Sequence, residues 1–320
     1  MSDHQFAFLT STTHPGFLNA PPLAARPGAE VVVAGVAWDG ATTHRPGARL
    51  GPFAIRRASH MLGDGWHPLF DVSPAGSIAD IGDLALPNTS LTAMRAALEP
   101  LAVALIARHH MVWLGGDHSI TLPLMRAYRA QFGRPLALIH FDAHCDTWPD
   151  HAGEPSGHGT WLKEAVDEGV VDPALTVQFG IRSPAQRDIR EYIRDRGGFT
   201  YTGRDLRGLT SAEQMKRVLT NVREKLGDAP VYLSLDIDCL DPAFAPGTGT
   251  PEPGGLATAQ VMTLLEELAS LNWIGMDLCE VAPPFDQAEL SSNAAATLIW
   301  TYLCGRIAAR PAYQASLDIT

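Results

Sequence analysis

From about residue 31 onward, short apolar runs alternate with longer stretches in which apolar residues recur at helical spacing. The runs are Val31–Val36, Ser77–Ile81, Met111–Leu114, Leu136–Phe141, Thr176–Ile181, Val231–Leu235 and Ile274–Cys279. Brief, nearly unbroken apolarity marks strands covered on both faces. Helical spacing occupies Pro52–Met61, Leu91–Arg108, Thr121–Gln131, Thr160–Glu168, Pro184–Asp195, Ser211–Leu226, Thr258–Ala269 and Asn293–Leu303. The alternation predicts an α/β fold with a mainly parallel central sheet and helices on both faces. Ligands in such folds collect outside the carboxyl ends of the strands. Ahead of this pattern, Pro15, Pro21, Pro22 and Pro27 break up residues 1–30. That segment reads as an irregular arm, either disordered or lying along a neighbouring subunit. Residues 31–320 show no repeat and no linker, so one domain is expected there.

The polar residues that end these runs carry the chemistry. Asp142, His144 and Asp146 follow Leu136–Phe141, and Asp236 and Asp238 follow Val231–Leu235. Spacing of two sends side chains to one face if the backbone stays extended. Several ionisable groups on one buried face repel unless a cation joins them. The plainer reading of Asp236-x-Asp238 is a solvated loop start, with Asp241-Pro242 as its turn. His118 stands in Gly115-Gly116-Asp117-His118-Ser119. That segment also reads as a strand-to-helix turn, its glycines supplying unusual backbone angles and Asp117 or Ser119 capping a helix. All three segments fall at the same sheet edge, however, and together they make a site for two divalent cations. Four aspartates with two imidazoles suit Mn²⁺ better than zinc. Paired ions about 3.5–4 Å apart generate hydroxide near neutral pH, which implies hydrolysis.

Composition narrows the partners. The 320-residue chain is 46% hydrophobic and 18% charged, with a formal charge of −11. An acidic surface argues against nucleic acid and favours small cations. No apolar run approaches a membrane span. The start, Met1-Ser2-Asp3-His4, has neither the basic segment nor the apolar core of a secretory signal. Cys145, Cys239, Cys279 and Cys304 form no Cys-x-x-Cys pair, which points to a reducing cytoplasm rather than disulfides. Cys145 would point away from a metal on the Asp142 face.

The segments Gly115–His118, Phe141–Asp146, His158–Thr160, Gly180–Arg182, Ser234–Pro251 and Asp277–Asp286 resemble the ureohydrolase (arginase and agmatinase) family. The resemblance implies a three-layer α/β/α sandwich and two manganese ions per subunit. By position, His118 and Asp146 would hold one ion and His144 and Asp238 the other, with Asp142 and Asp236 bridging. Glu280 matches the guanidinium-binding glutamate, a carboxylate giving a planar cation paired hydrogen bonds. The plainer reading of Glu280 is a turn cap before Pro283-Pro284. His158 matches the proton-shuttling histidine. It also reads as a structural histidine between Gly157 and Gly159. Asp146 would share in proton transfer, and His140 would orient a ligand or merely pack.

Trp148 stands where arginases carry Asn, and Ser156-Gly157-His158 lacks the Asn preceding their histidine. The resemblance therefore implies agmatine as substrate, a small cationic guanidino compound, cleaved to urea and putrescine. A hydrolase of 4-guanidinobutyrate or 3-guanidinopropionate is the alternative. It needs a cation at the far end of the pocket, with Arg45 and Arg182 as candidates. A single-zinc deacetylase and a non-catalytic binding protein remain as readings from other classes. Homo-oligomers, trimers or hexamers, are implied by the family alone.

Overall fold

The computed structural model describes residues 16–310. Among them, eight parallel strands form one sheet in the order β2-β1-β3-β8-β7-β4-β5-β6. They are β1 (Val31–Gly35), β2 (Ile78–Asp83), β3 (His110–Leu114), β4 (Leu136–Phe141), β5 (Val171–Ile181), β6 (Phe199–Thr202), β7 (Val231–Asp236) and β8 (Trp273–Cys279). Strand parity decides which layer each side chain joins. Val31, Val33, Ile139, Leu233 and Leu235 pack into one core, beneath α1 (Gly51–Ser59), α6 (Ala212–Leu226), α7 (Thr258–Glu267) and α8 (Leu290–Ala308). Val32, Ala34, Trp113, Leu138 and Tyr232 pack into the other, beneath α2 (Leu91–Ile106), α3 (Thr121–Phe132) and α4 (Trp161–Asp167). This is the three-layer sandwich that the apolar runs and the resemblance imply.

Three expectations need correction. The strand β6 is absent from the sequence reading because Phe199-Thr200-Tyr201-Thr202 is short and half polar, and it pairs only with β5 at the sheet edge. The expected helix Pro184–Asp195 shrinks to α5 (Arg187–Arg190) and a 3-10 turn at Arg194–Arg196. Gln186–Asp188 and Arg190 are exposed, so the segment has no apolar stripe to dock, and the chain turns to bury the adjacent Tyr192 and Ile193. The last helix begins at Leu290 rather than Asn293, because the Asp286 carboxylate accepts the Ser291 and Ser292 amides at 2.8 and 2.9 Å.

Of the arm, residues 1–15 lie outside the described part. Residues 16–30 dock on their own chain: Phe17 and Leu18 are buried in the core. The Phe17 amide donates to Asp80 and the Leu18 amide to the Ser59 hydroxyl, each at 2.8 Å. Among the described residues, no helix is long and apolar enough to cross a membrane.

Candidate metal centre

The four adjacent strands β3, β8, β7 and β4 end at one rim of the sheet, and each delivers a polar segment there. His118 follows β3, Glu280 follows β8, Asp236 ends β7, and Asp142 follows β4. The spacing of two has a different cause from the expected strand alternation. Each leading aspartate folds back on the amide two residues on: Asp117 to Ser119 at 3.0 Å, Asp142 to His144 at 2.5 Å, Asp236 to Asp238 at 2.8 Å. These are Asx turns, and they aim neighbouring side chains inward where extended backbone has already stopped. Asp238 lies in a 3-10 turn, Ile237–Cys239, and Asp146 has φ of 53°.

The glycines before His118 also serve another purpose than unusual backbone angles. A Cβ on Gly116 would sit 1.7 Å from the Trp38 carbonyl oxygen, and one on Gly115 2.6 Å from the Cys279 sulfur. They permit close approach of backbone from three strand ends.

Two donor groups result. The His118 Nδ1 lies 3.2 Å from one oxygen each of Asp142, Asp146 and Asp236. The His144 Nδ1 lies 3.1 Å from Asp238 Oδ2 and 3.3 Å from Asp142 Oδ1. Asp142 thus turns Oδ2 to the first group and Oδ1 to the second. All six ligand-type residues converge, and Asp142 stands between the groups as a bridging ligand would.

Electrostatics supports occupation by cations. Burial, then the charges of Asp238 and Asp142, hold the Asp236 carboxyl well above the usual range. Burial alone would lower His118, but Asp142, Asp146 and Asp236 hold it well above an ordinary imidazole. Burial opposes charge on Asp142 too, yet His118, His140 and His144 keep it well below the carboxylate range. The His118 Nδ1 is enclosed without a well-formed hydrogen bond. Oxygen-rich, crowded and buried, these residues fit two divalent ions.

Partners that the sequence did not reveal orient the ligands. The His118 Nε2 pairs with the Ser234 hydroxyl at 2.8 Å, and that hydroxyl donates to Asp277 at 2.7 Å. Asp277 also accepts from Tyr232 and Thr121. Its oxygens are thereby used, so the nearby set His118, Asp277 and Cys279 is support for His118 rather than a third metal group. The Trp161 indole donates to Asp146 at 2.6 Å. His140 does more than pack: its Nε2 lies 2.9 Å from Asp142 Oδ2, and Gln178 approaches its Nδ1 at 3.3 Å. Supports of this kind fix ligand geometry. Only His140 shows a sequence signal, its strand parity with Asp142.

Glu280 and His158 form the neighbouring unit. Glu280 is fully buried and adopts φ of 66°, a left-handed conformation shared with Asp146. Such strain concentrates at functional positions. Glu280 Oε1 accepts the His118 amide and pairs with His158 Nδ1, both at 2.9 Å, whereas Oε2 is buried without a partner among the described residues. The His158 Nε2 meets the Thr43 hydroxyl at 2.8 Å. Burial would lower His158, but Glu280 lifts it to about 9. Asp117, which accepts the Ala41 amide, is pushed up to about 6 by burial and by Glu280.

His118, His144, Asp146, Asp236 and His158 open on a cleft of about 210 Å³ whose wall also includes Thr43, Trp148, His151, Ser183 and Thr250. Arg182 and Arg45 do not line it. The Arg182 guanidinium is used up by the carbonyls of Gly180, Asp238, Cys239, Leu240 and Glu252. Arg45 lies over the Phe285 ring, 5.3 Å from its centroid.

A parallel α/β sandwich with twin Asp–His groups at the strand ends defines a class, and residues 29–305 match the Arginase family: the chain belongs to it. Members of this family depend on a binuclear metal centre, and the cluster here is compatible with one. Among curated proteins the chain is similar to the agmatinase of Chromobacterium violaceum, 40% identical over 284 residues, spanning 87% of this chain and 84% of that one. Among solved structures it is similar to a hypothetical agmatinase from Burkholderia thailandensis, at 38% identity and TM-score 0.83, covering 91% of this chain and 90% of that one. It is also similar to proclavaminate amidino hydrolase from Streptomyces clavuligerus, at 36% identity and TM-score 0.85, covering 92% and 98%.

Proposed function

We propose that this chain hydrolyses the guanidino C–N bond of agmatine, giving urea and putrescine. The observation that carries the reading is Glu280: a wholly buried carboxylate beside the donor cluster, with Oε2 lacking any partner among the described residues. A guanidinium N–H supplies what that oxygen lacks. The agmatinase relatives point the same way.

His118, Asp142, Asp146, Asp236, Asp238 and His144 would hold two Mn²⁺ ions, a choice supported by the oxygen-rich donor set. When bound, such a pair activates water and stabilises charge developing on the substrate. The residues do the rest. Glu280 orients the guanidinium carbon toward the cluster. Asp146, held by Trp161, accepts a proton from the attacking water. His158, kept protonated by Glu280, donates a proton to the departing amine nitrogen. Charge balances, since agmatine and putrescine both carry two positive charges and urea none.

The guanidino-acid reading retains one supporting observation. Arg190, Arg204 and Arg207 line a hollow that meets the cleft at Ser183. Against it, no Lys or Arg lines the cleft itself among the described residues. We further propose one domain over residues 31–320, a homo-oligomer and a cytoplasmic setting. Four buried free thiols support the last.

Urea release from agmatine, 4-guanidinobutyrate, 3-guanidinopropionate and arginine, measured on Mn²⁺-loaded protein, tests the substrate. Agmatine should give the highest kcat/KM. A preference for either guanidino acid would replace the reading, and one metal per chain would revive the single-zinc alternative.

A further inference from the structure

The cleft wall contains a feature that the chemistry above does not use. Four rings follow one another around it: His144 to Trp148 at 6.3 Å, Trp148 to His151 at 6.2 Å, and His151 to His158 at 5.9 Å between centroids. The outer two belong to the candidate machinery, whereas Trp148 and His151 sit on the loop between Asp146 and His158. We propose that Trp148 and His151 form the subsite for the substrate's far end, receiving a primary ammonium between the indole face and the imidazole Nε2. The proposal rests on the agmatine reading.

The His151 ring is placed by the chain rather than left to wander. Its backbone exchanges two hydrogen bonds with Glu154, at 2.9 and 3.0 Å, and Asp150 closes the turn by accepting the Gly153 amide. The ring then enters a gap made by two glycines. A Cβ on Gly159 would lie 2.6 Å from His151 Nε2, and one on Gly157 3.1 Å from its Cδ2. The glycines around His158, which suggest only a turn in the sequence, make room for a second imidazole.

Two properties of His151 suit it to accept a hydrogen bond from the ammonium. Its Nε2 is enclosed and has no hydrogen-bond partner among the described residues. Burial, followed by the positive charge of His158, lowers its pKa, so the ring stays neutral and offers a lone pair in one tautomer. Trp148 is half-buried and presents an indole to the same cleft, the aromatic face that best attracts ammonium. The remaining wall groups, Thr43, Ser183 and Thr250, are neutral hydroxyls. Among the described residues no Lys or Arg side chain lines this wall to receive a carboxylate tail.

The test compares agmatine with pentylguanidine, in which a methyl group replaces the ammonium. On Mn²⁺-loaded wild-type protein, agmatine should be preferred. His151→Phe keeps a ring in the glycine gap and removes Nε2. It should lower kcat/KM for agmatine roughly tenfold, mainly through KM, and leave pentylguanidine unchanged. His151→Gln, which restores an acceptor, should recover part of the loss. Trp148→Leu should lower the agmatine preference by a similar factor, and it decides the matter alone if His151→Phe does not fold. Agmatine cleavage with the wild-type substrate ratio in both variants overturns this subsite and leaves the agmatine reading standing. Cleavage of 4-guanidinobutyrate but not agmatine by the wild type overturns both.

Discussion

The floor of the cleft and its rim are built by opposite rules. The floor is assembled at four neighbouring strand ends, where His118, Asp146 and Asp236 line the cleft and Asp142, Asp238 and Glu280 are buried without lining it. Its ligands are held from behind by further side chains, as in the path from His118 through Ser234 to Asp277. The rim is a loop whose tip, from Pro149 to Pro155, is largely exposed and ordered mainly by its own turn. Rigid, over-determined floors fix a reaction, because they preserve geometry at the cost of adaptability. Rims are free to vary, so they set which molecule is admitted. On this view, floor substitutions should abolish chemistry or metal, and rim substitutions should exchange substrates.

The largest expected effect comes from Asp142→Asn. It removes charge from a residue that faces both donor groups. Urea release should fall by about 10³-fold or more, and bound metal should drop below two per chain by elemental analysis. Full metal loading in this variant would contradict the bridging position. His158→Ala should come next, with kcat lowered about 10²–10³-fold while both metals stay bound. Metal loss there would mean that His158 belongs to the donor set rather than beside it.

A smaller effect is expected from Trp161→Phe, which deletes the indole donor to Asp146 but keeps an aromatic ring in the core. Metal affinity, measured by competition with a chelator, should weaken about tenfold with little change in folding. Unchanged affinity would show that Asp146 needs no such support. The subtlest prediction concerns protons. In metal-stripped protein the His158 ring should titrate near pH 9, since Glu280 favours its charged form. It is therefore protonated through neutral pH and loses its charge as pH rises through that point. Glu280→Gln should move the midpoint downward by NMR, and bound dications should do the same. A midpoint unaffected by Glu280→Gln would break the link between the pair.

What the sequence made legible follows the same division. The floor is readable because burial imposes a pattern: nearly unbroken apolar strands announce a covered parallel sheet, and clustered acids after them announce a cation. Even so, the reason for the Asp-x-His and Asp-x-Asp spacing lies in Asx turns rather than in strand alternation. The supporting roles of Ser234, Asp277, Trp161 and Gln178 were not legible: Ser234 and Asp277 only open segments that match the family, and Trp161 and Gln178 read as ordinary core or strand residues. The rim was less legible. Trp148 stood out only through comparison with a family pattern, and His151 not at all, because its role depends on glycines six and eight positions further on. The short helix α5 and the edge strand β6 escaped for a related reason, as neither has a full apolar face to impose periodicity.

Counting metal decides most directly whether the account holds. Protein loaded with Mn²⁺, freed of excess by gel filtration and assayed by mass spectrometry of the elements, should carry two ions per chain. Asp142→Asn and Asp238→Asn should each carry fewer. A wild-type protein that binds one ion, or none, under conditions where it releases urea would contradict a paired-cation centre at these strand ends.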